Sequence, residues 1–241
     1  MDMLTLVGVS VVLFFGSFIQ RVTGMGLALV AAPFLVVLLG SVTGVQTLQM
    51  VGLGVCLVSA ITLWSDVNFR VAALLLVTSA IGLVPGTWIA KSLPASWLGI
   101  FIGTVTLAAL AATVFLRRSR VFVGARGTGI AGALSGFMNV TAGVGGPPIA
   151  IYANSTDWEY REYLATVQLY FAGLNALSLL ARGMPDLPTA GWAVAAGSAV
   201  AGVVIGNLLS STINESIAKK AVLAIAGIGS LATVLQGVLT L

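Results

Sequence analysis

The sequence predicts an all-α polytopic membrane protein made of two inverted repeats of about five segments each. That gives 8–10 transmembrane helices, two of them broken or short. Three observations lead there. Hydrophobic residues make up 59% of the 241 residues and charged residues only 7%, where a soluble domain carries roughly a quarter. Apolar runs of bilayer-crossing length recur from end to end. The chain also repeats itself after about 119 residues, and both copies break an apolar run at the same place.

In chain order the apolar segments fall near 3–20, 24–40, 44–64, 70–90, 97–116, 121–139, 143–154, 162–182, 189–210 and 219–240. The first, "MDMLTLVGVSVVLFFGSF", has an acid where a signal peptide carries Lys or Arg and no small-x-small cleavage site, so it reads as a membrane segment. The second begins Gly-Met-Gly and contains Pro33. The next three are uninterrupted and are bounded by "SDVNFR", "KSLPAS" and "RRSR". In the second half, 143–154 is too short to cross a core of about 30 Å as ideal helix. The last three are full length, separated by "STDWEYRE", "RGMPDLP" and "INESIAKK", so nearly all charge lies in connections. The chain reads as one membrane domain, 1–241, with repeat 1 at 1–120 and repeat 2 at 121–241.

The duplication places Gln20 on Asn139, Gly24 on Gly143, Gly26 on Gly145, Thr47 on Thr166, Gln49 on Gln168 and Gly54 on Gly173. With one further residue of shift, "GLVPG" (82–86) falls on "GVVIG" (202–206). If every segment crosses and "RRSR" is cytoplasmic, Arg21, Arg70, Arg117, Arg118, Arg120, Arg161, Lys219 and Lys220 share that side. Only Lys91 and Arg182 then lie outside, which is a positive-inside bias. An odd number of crossings per half makes the halves inverted.

Irregular backbone survives inside a membrane only where protein or a wet cavity satisfies it. Gly-Met-Gly and "AGVGGPP" both supply such backbone, and each reads as the start of a short helix with free N–H groups aimed into a cavity. A helix start carries partial positive charge and attracts anions. For a single glycine, close helix packing is the competing explanation. The expected substrate-binding residues are therefore Gln20, Thr23, Gly24, Gly26, Asn139, Thr141, Gly143, Gly145 and Gly146, with Gln49, Gln168 and Asn175 as amide donors. Each glutamine could instead make only an interhelical hydrogen bond. Arg21 either snorkels to the headgroups or stands at the cavity mouth and attracts anions. Tyr152 and Tyr170 are candidate lining residues, and Cys56 reads as packing.

Absences narrow the chemistry. All seven acids lie in or beside connections, which leaves no midplane proton relay or sodium ligand and no countercharge for a cation. There is no histidine and a single cysteine. No metal site, cofactor or enzymatic nucleophile pair is expected. The pI of about 9.6 comes from basic residues scattered through short connections, so no nucleic-acid partner is expected.

"GSFIQRVTGMGLALVAAPFL", "SGFMNVTAGVGGPPIAIY" and the two G-xxx-G pairs resemble the TauE/SafE sulfite exporter family over nearly the whole chain. The family's glycine-rich turn matches Gly24, Gly26 and Pro33, and its second copy matches Gly143, Gly145, Gly146 and Pro147. Arg21 and Val140 stand where relatives usually carry glycine. The resemblance implies a secondary transporter or exporter of small sulfur-containing or organic anions, such as sulfite or sulfoacetate. It implies a multi-pass protein of the cytoplasmic (inner) membrane whose partners are a small anion and the lipid bilayer. Cation-coupled uptake of an organic acid or sulfonate is the alternative, and a membrane assembly factor a more distant one. The sequence leaves open a homodimer.

Overall fold

In a computed structural model of the chain, the described residues form ten α-helices and two short 3-10 turns. Met25, Arg117, Arg118 and residues 210–214 lie outside the described residues, as do the side chains of Val22, Thr23 and residues 215–219. The helices are α1 (Met3–Thr23), α2 (Gly26–Leu39), α3 (Ser41–Thr62), α4 (Phe69–Ser92), α5 (Ala95–Phe115), α6 (Gly124–Ala142), α7 (Gly146–Ser155), α8 (Tyr160–Arg182), α9 (Thr189–Leu209) and α10 (Glu215–Leu239). Each predicted segment corresponds to one helix. Seven are long and apolar enough to cross a membrane. Of the others, α6 has the length at 19 residues but carries Arg126, Thr128, Ser135 and Asn139. The α2 helix has 14 residues and α7 only 10. Of the cationic positions used to orient the chain, Arg117, Arg118 and the Lys219 side chain lie outside the described residues.

The surface is that of a protein in lipid. Along α4, Val77, Ile81, Val84 and Trp88 follow helical spacing and are each 69–71% exposed. An apolar stripe of that size facing outward has no stable counterpart in a water-soluble monomer. Gly82 and Gly86 are buried on α4.

Those glycines show how the halves interlock. A Cβ at Gly82 would strike the Ala133 carbonyl oxygen, and one at Gly86 would sit 3.1 Å from the Phe137 carbonyl oxygen, both on α6. In the other half, a Cβ at Gly202 would strike the Phe14 carbonyl oxygen, and one at Gly206 would sit 2.9 Å from that of Phe18, both on α1. Phe14 and Phe18 precede Ala133 and Phe137 by 119 positions. Each "G-xxx-G" thus lets its helix pack backbone against backbone with the first helix of the opposite half, as small residues do in membranes. The pairings α1 with α9 and α6 with α4 exchange when the halves exchange, while α3 packs on α8 and α5 on α10.

Two apolar cores result. One surrounds α2, with Leu13, Leu35, Val45, Leu98 and Ile102 fully buried. The other surrounds α7 and includes Leu75, Ile149, Tyr170 and Leu174.

Candidate functional site

The breaks that open α2 and α7 are made the same way. Gly24 ends α1 at φ 82° and donates to the Gln20 carbonyl at 2.8 Å. Gly143 ends α6 at φ 74° and donates to the Asn139 carbonyl, also at 2.8 Å. Both are left-handed caps that glycine adopts without a Cβ penalty. A Cβ at either would also press on a leucine, Leu164 at 2.6 Å or Leu48 at 2.7 Å.

Between the breaks lies a cavity of about 30 Å³, lined in part by Gln20, Gly52, Cys56, Asn139, Phe171 and Asn175. Gln20 and Asn139, Gly52 and Phe171, and Cys56 and Asn175 are equivalent under the 119-residue offset, and Leu27 and Gly146, also on the wall, are a fourth pair. A wall built largely of equivalent pairs lies where the two halves meet. The space admits a water or two and no sulfonate.

One hydrogen bond of the Gln20 and Asn139 side chains joins the halves, Gln20 to Gln168, and their others stay within a half. Gln20 donates through Nε2 to the Gly24 carbonyl at 3.0 Å and to Gln168 Oε1 at 3.4 Å, and approaches Cys56 Sγ at 3.9 Å. Its Oε1 accepts the Leu27 N–H at 3.1 Å, so a carboxamide oxygen caps the start of α2. Asn139 instead donates through Nδ2 to Asn175 Oδ1 at 3.1 Å and Ser178 Oγ at 3.0 Å. In this arrangement Asn139 is the donor and Asn175 the acceptor.

The start of α7 has no such cap. No side chain bonds it, and two prolines follow in its first turn. Pro147 and Pro148 bring no N–H, so the unpaired donors of a helix start reduce here to Gly145 and Gly146. Ser135 donates to the Gly145 carbonyl at 2.6 Å. In a planar trans peptide that points the Gly146 N–H away from α6. Asn175 Nδ2 has no hydrogen-bond partner among the described residues. It lies 2.8 Å from where a Gly52 Cβ would be, on the cavity wall. Free amide N–H groups from α7 and α8 therefore meet in one small space, and the wall carries no charge of either sign.

The predicted residues divide accordingly. Gln20, Asn139, Gly143, Gly145, Gly146 and Asn175 line the cavity. The Thr23 side chain lies outside the described residues. Gly24 and Gly26 shape the break beside the cavity and do not form its wall. Thr141 turns its hydroxyl back onto the Phe137 carbonyl at 2.7 Å. Gln49 and Gln168 stand just behind the wall, each bonded to the helix break of the opposite half. Gln49 Nε2 donates to the Asn139 carbonyl at 2.7 Å, leaving its own Oε1 buried and unpaired. Gln168 Nε2 reaches the Gly24 carbonyl at 3.5 Å. Arg21 lies on the protein's flank, donating to Asn207 Oδ1 at 2.9 and 3.1 Å.

Neither tyrosine is a lining residue. Tyr152 is held by Thr128 at 3.1 Å and by the edge of Trp158, and Tyr170 packs on Phe171 within the α7 core. Sequence reasoning missed Gly52, Phe171 and the cavity-facing role of Cys56. The offset would have found Cys56, the equivalent of the predicted Asn175, whereas Gly52 and Phe171 are equivalent only to each other.

Away from this cavity, an open cleft lies beside the start of α8, lined by Asp66, Asn68, Glu159 and Glu162 among others. Glu159 caps α8 by accepting the Glu162 and Arg161 N–H groups, which hold its carboxyl below the usual range. Asp66 pairs with the exposed Arg161 at 3.4 Å. Among the described residues no acid is buried.

The family model for the sulfite exporter TauE/SafE matches residues 9–233. No curated protein and no solved structure matches the chain. With nearly its whole length matched, the chain belongs to the TauE/SafE sulfite exporter family, a family of transporters, and is a multi-pass membrane protein.

Proposed function

We propose that this TauE/SafE-family protein exports a small oxyanion, sulfite or a sulfonate such as sulfoacetate, across the cytoplasmic membrane. The carrying observation is the convergence of the uncapped start of α7 and the unpartnered Asn175 amide on the cavity between the halves. An anion's oxygens would accept from the Gly145 and Gly146 N–H groups and from Asn175 Nδ2. The partial positive charge of a helix start would stabilise them in a medium without water. The uncharged donors suit an anion that must also leave, because a charged partner there would hold it.

Alternating access supplies the movement. The halves are inverted in this reading, and the pairings α1 with α9 and α6 with α4 form units that rock about the shared cavity. The closed cavity is then the occluded intermediate between two open ones. Uncharged walls also bear on coupling: no buried carboxylate is present among the described residues to carry a proton or bind sodium. Moving one negative charge outward through an inside-negative potential of 100 mV releases ~2.3 kcal/mol, which drives export without a coupling ion.

The test is sulfite and sulfoacetate flux in proteoliposomes under a clamped potential, with and without pH and sodium gradients. Voltage-driven current that requires the anion is expected. Flux that appears only with a cation gradient would replace export by coupled uptake.

A further inference from the structure

Arg182 ends α8, and its side chain folds back under the last turn of α6. Its Nη1 donates to the carbonyls of Val140 at 2.7 Å and Thr141 at 3.2 Å. Its own carbonyl accepts from Gln46 Nε2 at 3.0 Å, which fastens the residue to α3. Three helices thus meet at one residue, its guanidinium on α6 and its backbone carbonyl on α3. The carbonyls it holds lie between Asn139 and Gly143, both of them wall residues of the cavity.

The charge is incompletely answered. Nη2 is buried and has no partner, and no carboxylate forms an ion pair with Arg182 among the described residues. Asp186, four residues on, is exposed. A cation at a helix C-terminus interacts favourably with the carbonyl ends, which accounts for Nη1. It does not account for Nη2, a charged group's donor left dry at a site where an ordinary C-cap would face water. Position 63, the equivalent under the 119-residue offset, is a leucine, so the other half has no matching cation. At its opposite end, α8 borders the acidic cleft of Asp66, Glu159 and Glu162.

We propose that Arg182 is a switching ligand for the transported oxyanion at one mouth of the pathway. It is parked on the α6 carbonyls while the cavity is closed and turns its guanidinium onto the anion when that mouth opens. The inference rests on the anion-transport reading and adds the cation that reading lacks. A guanidinium presents paired N–H donors in a plane, a match for two oxygens of a sulfite or sulfonate group. In the parked state Nη1 is held by backbone carbonyls while Nη2 is buried without a partner, so exchanging the carbonyls for an anion strands no charge. The cation stands outside the cavity, so the anion gains a countercharge at the mouth without being trapped within.

The experiment compares wild type, Arg182→Gln and Arg182→Lys in proteoliposomes with sulfite as the probe. It measures KM and maximal flux, together with melting temperature in detergent with and without sulfite. Arg182→Gln is expected to raise KM at least about tenfold and to lose the sulfite-induced rise in melting temperature, with the sulfite-free melting temperature held or increased. Lysine keeps the charge and loses the paired geometry, so its KM should lie between the two. A purely structural cap predicts the reverse pattern, a lower sulfite-free melting temperature with unchanged KM, and that result would overturn the proposal. Should Arg182→Gln fail to fold, Arg182→Lys decides alone, and a wild-type KM there overturns it. Wild-type protein that is folded yet shows neither sulfite flux nor a sulfite-dependent melting shift would sink the anion reading itself, and this proposal with it.

Discussion

The α2 and α7 helices begin at equivalent glycine breaks, with φ 82° at Gly24 and φ 74° at Gly143, yet only one of them begins uncapped. At α2 the side chain seven residues before Leu27 is Gln20, whose Oε1 takes the Leu27 N–H at 3.1 Å. At α7 the residue seven before Gly146 is Asn139, one methylene shorter, and its amide is turned to Asn175 and Ser178. The shorter side chain leaves the α7 start open, and two prolines narrow its donors to the glycines. Equivalent residues line the cavity from both halves, and on the proposed reading the departures from equivalence decide which wall binds.

The sharpest way to break this comparison is to remove what the two ends share. Alanine at Gly143 would hold a left-handed residue, at a cost of about 1–2 kcal/mol, and would drive its Cβ into Leu48. Gly143→Ala should abolish flux and lower the melting temperature by several degrees, and Gly24→Ala should do much the same. A fully active Gly143→Ala protein would mean that the break is not needed.

The next largest effect separates the ends. Asn175→Leu deletes the free cavity donor and one partner of Asn139, so KM for sulfite should rise about tenfold while the protein stays folded. Gln20→Leu deletes the α2 cap and the bonds to Gly24 and Gln168. It should chiefly lower stability, by about 1–2 kcal/mol for a lost buried cap, as read from melting in detergent. If both variants change KM alike, the ends are functionally equivalent and the comparison fails.

Much of this was legible in the sequence. Hydropathy located all ten helices, and the Gly-Met-Gly and "AGVGGPP" stretches located both breaks, because a left-handed cap can hardly be built without glycine. The paired G-xxx-G stretches marked the repeat, although the sequence does not show that each packs on the opposite half. Side-chain direction was harder to read. Gln49 and Gln168 are symmetric, buried and polar, yet they stand behind the wall bonded to the opposite half's break, because helix rotation is set by packing. Cys56 reads as an inert core residue until the offset pairs it with Asn175. Arg182 reads as an exception to the charge rule until its side chain is seen under α6.

Cys56 allows a finer test. Cys56→Asn would place an asparagine at both equivalent wall positions, with Gln20 Nε2 already 3.9 Å from the sulfur as a ready donor. If a free amide donor is what makes Asn175 effective, Cys56→Asn should lower KM for sulfite about two- to threefold, an effect below 1 kcal/mol. An unchanged KM would assign the one-sidedness to the helix starts alone.

The smallest effect lies outside both broken helices and follows from what the cavity lacks. Its wall has no carboxylate or histidine to protonate, so acid sensitivity of the fold has to come from groups such as Glu159. That carboxyl is held below its ordinary value by the Glu162 and Arg161 N–H groups it accepts. A depressed folded-state pKa contributes stability above the unfolded value of about 4.3, and the contribution is lost as pH falls through the lower folded value. Glu159→Gln should therefore melt slightly below wild type at neutral pH, and the gap should close on acidification below about pH 4. Sulfite KM at neutral pH should stay the same in both proteins. A change in KM would tie the acidic cleft at the start of α8 to the transport pathway.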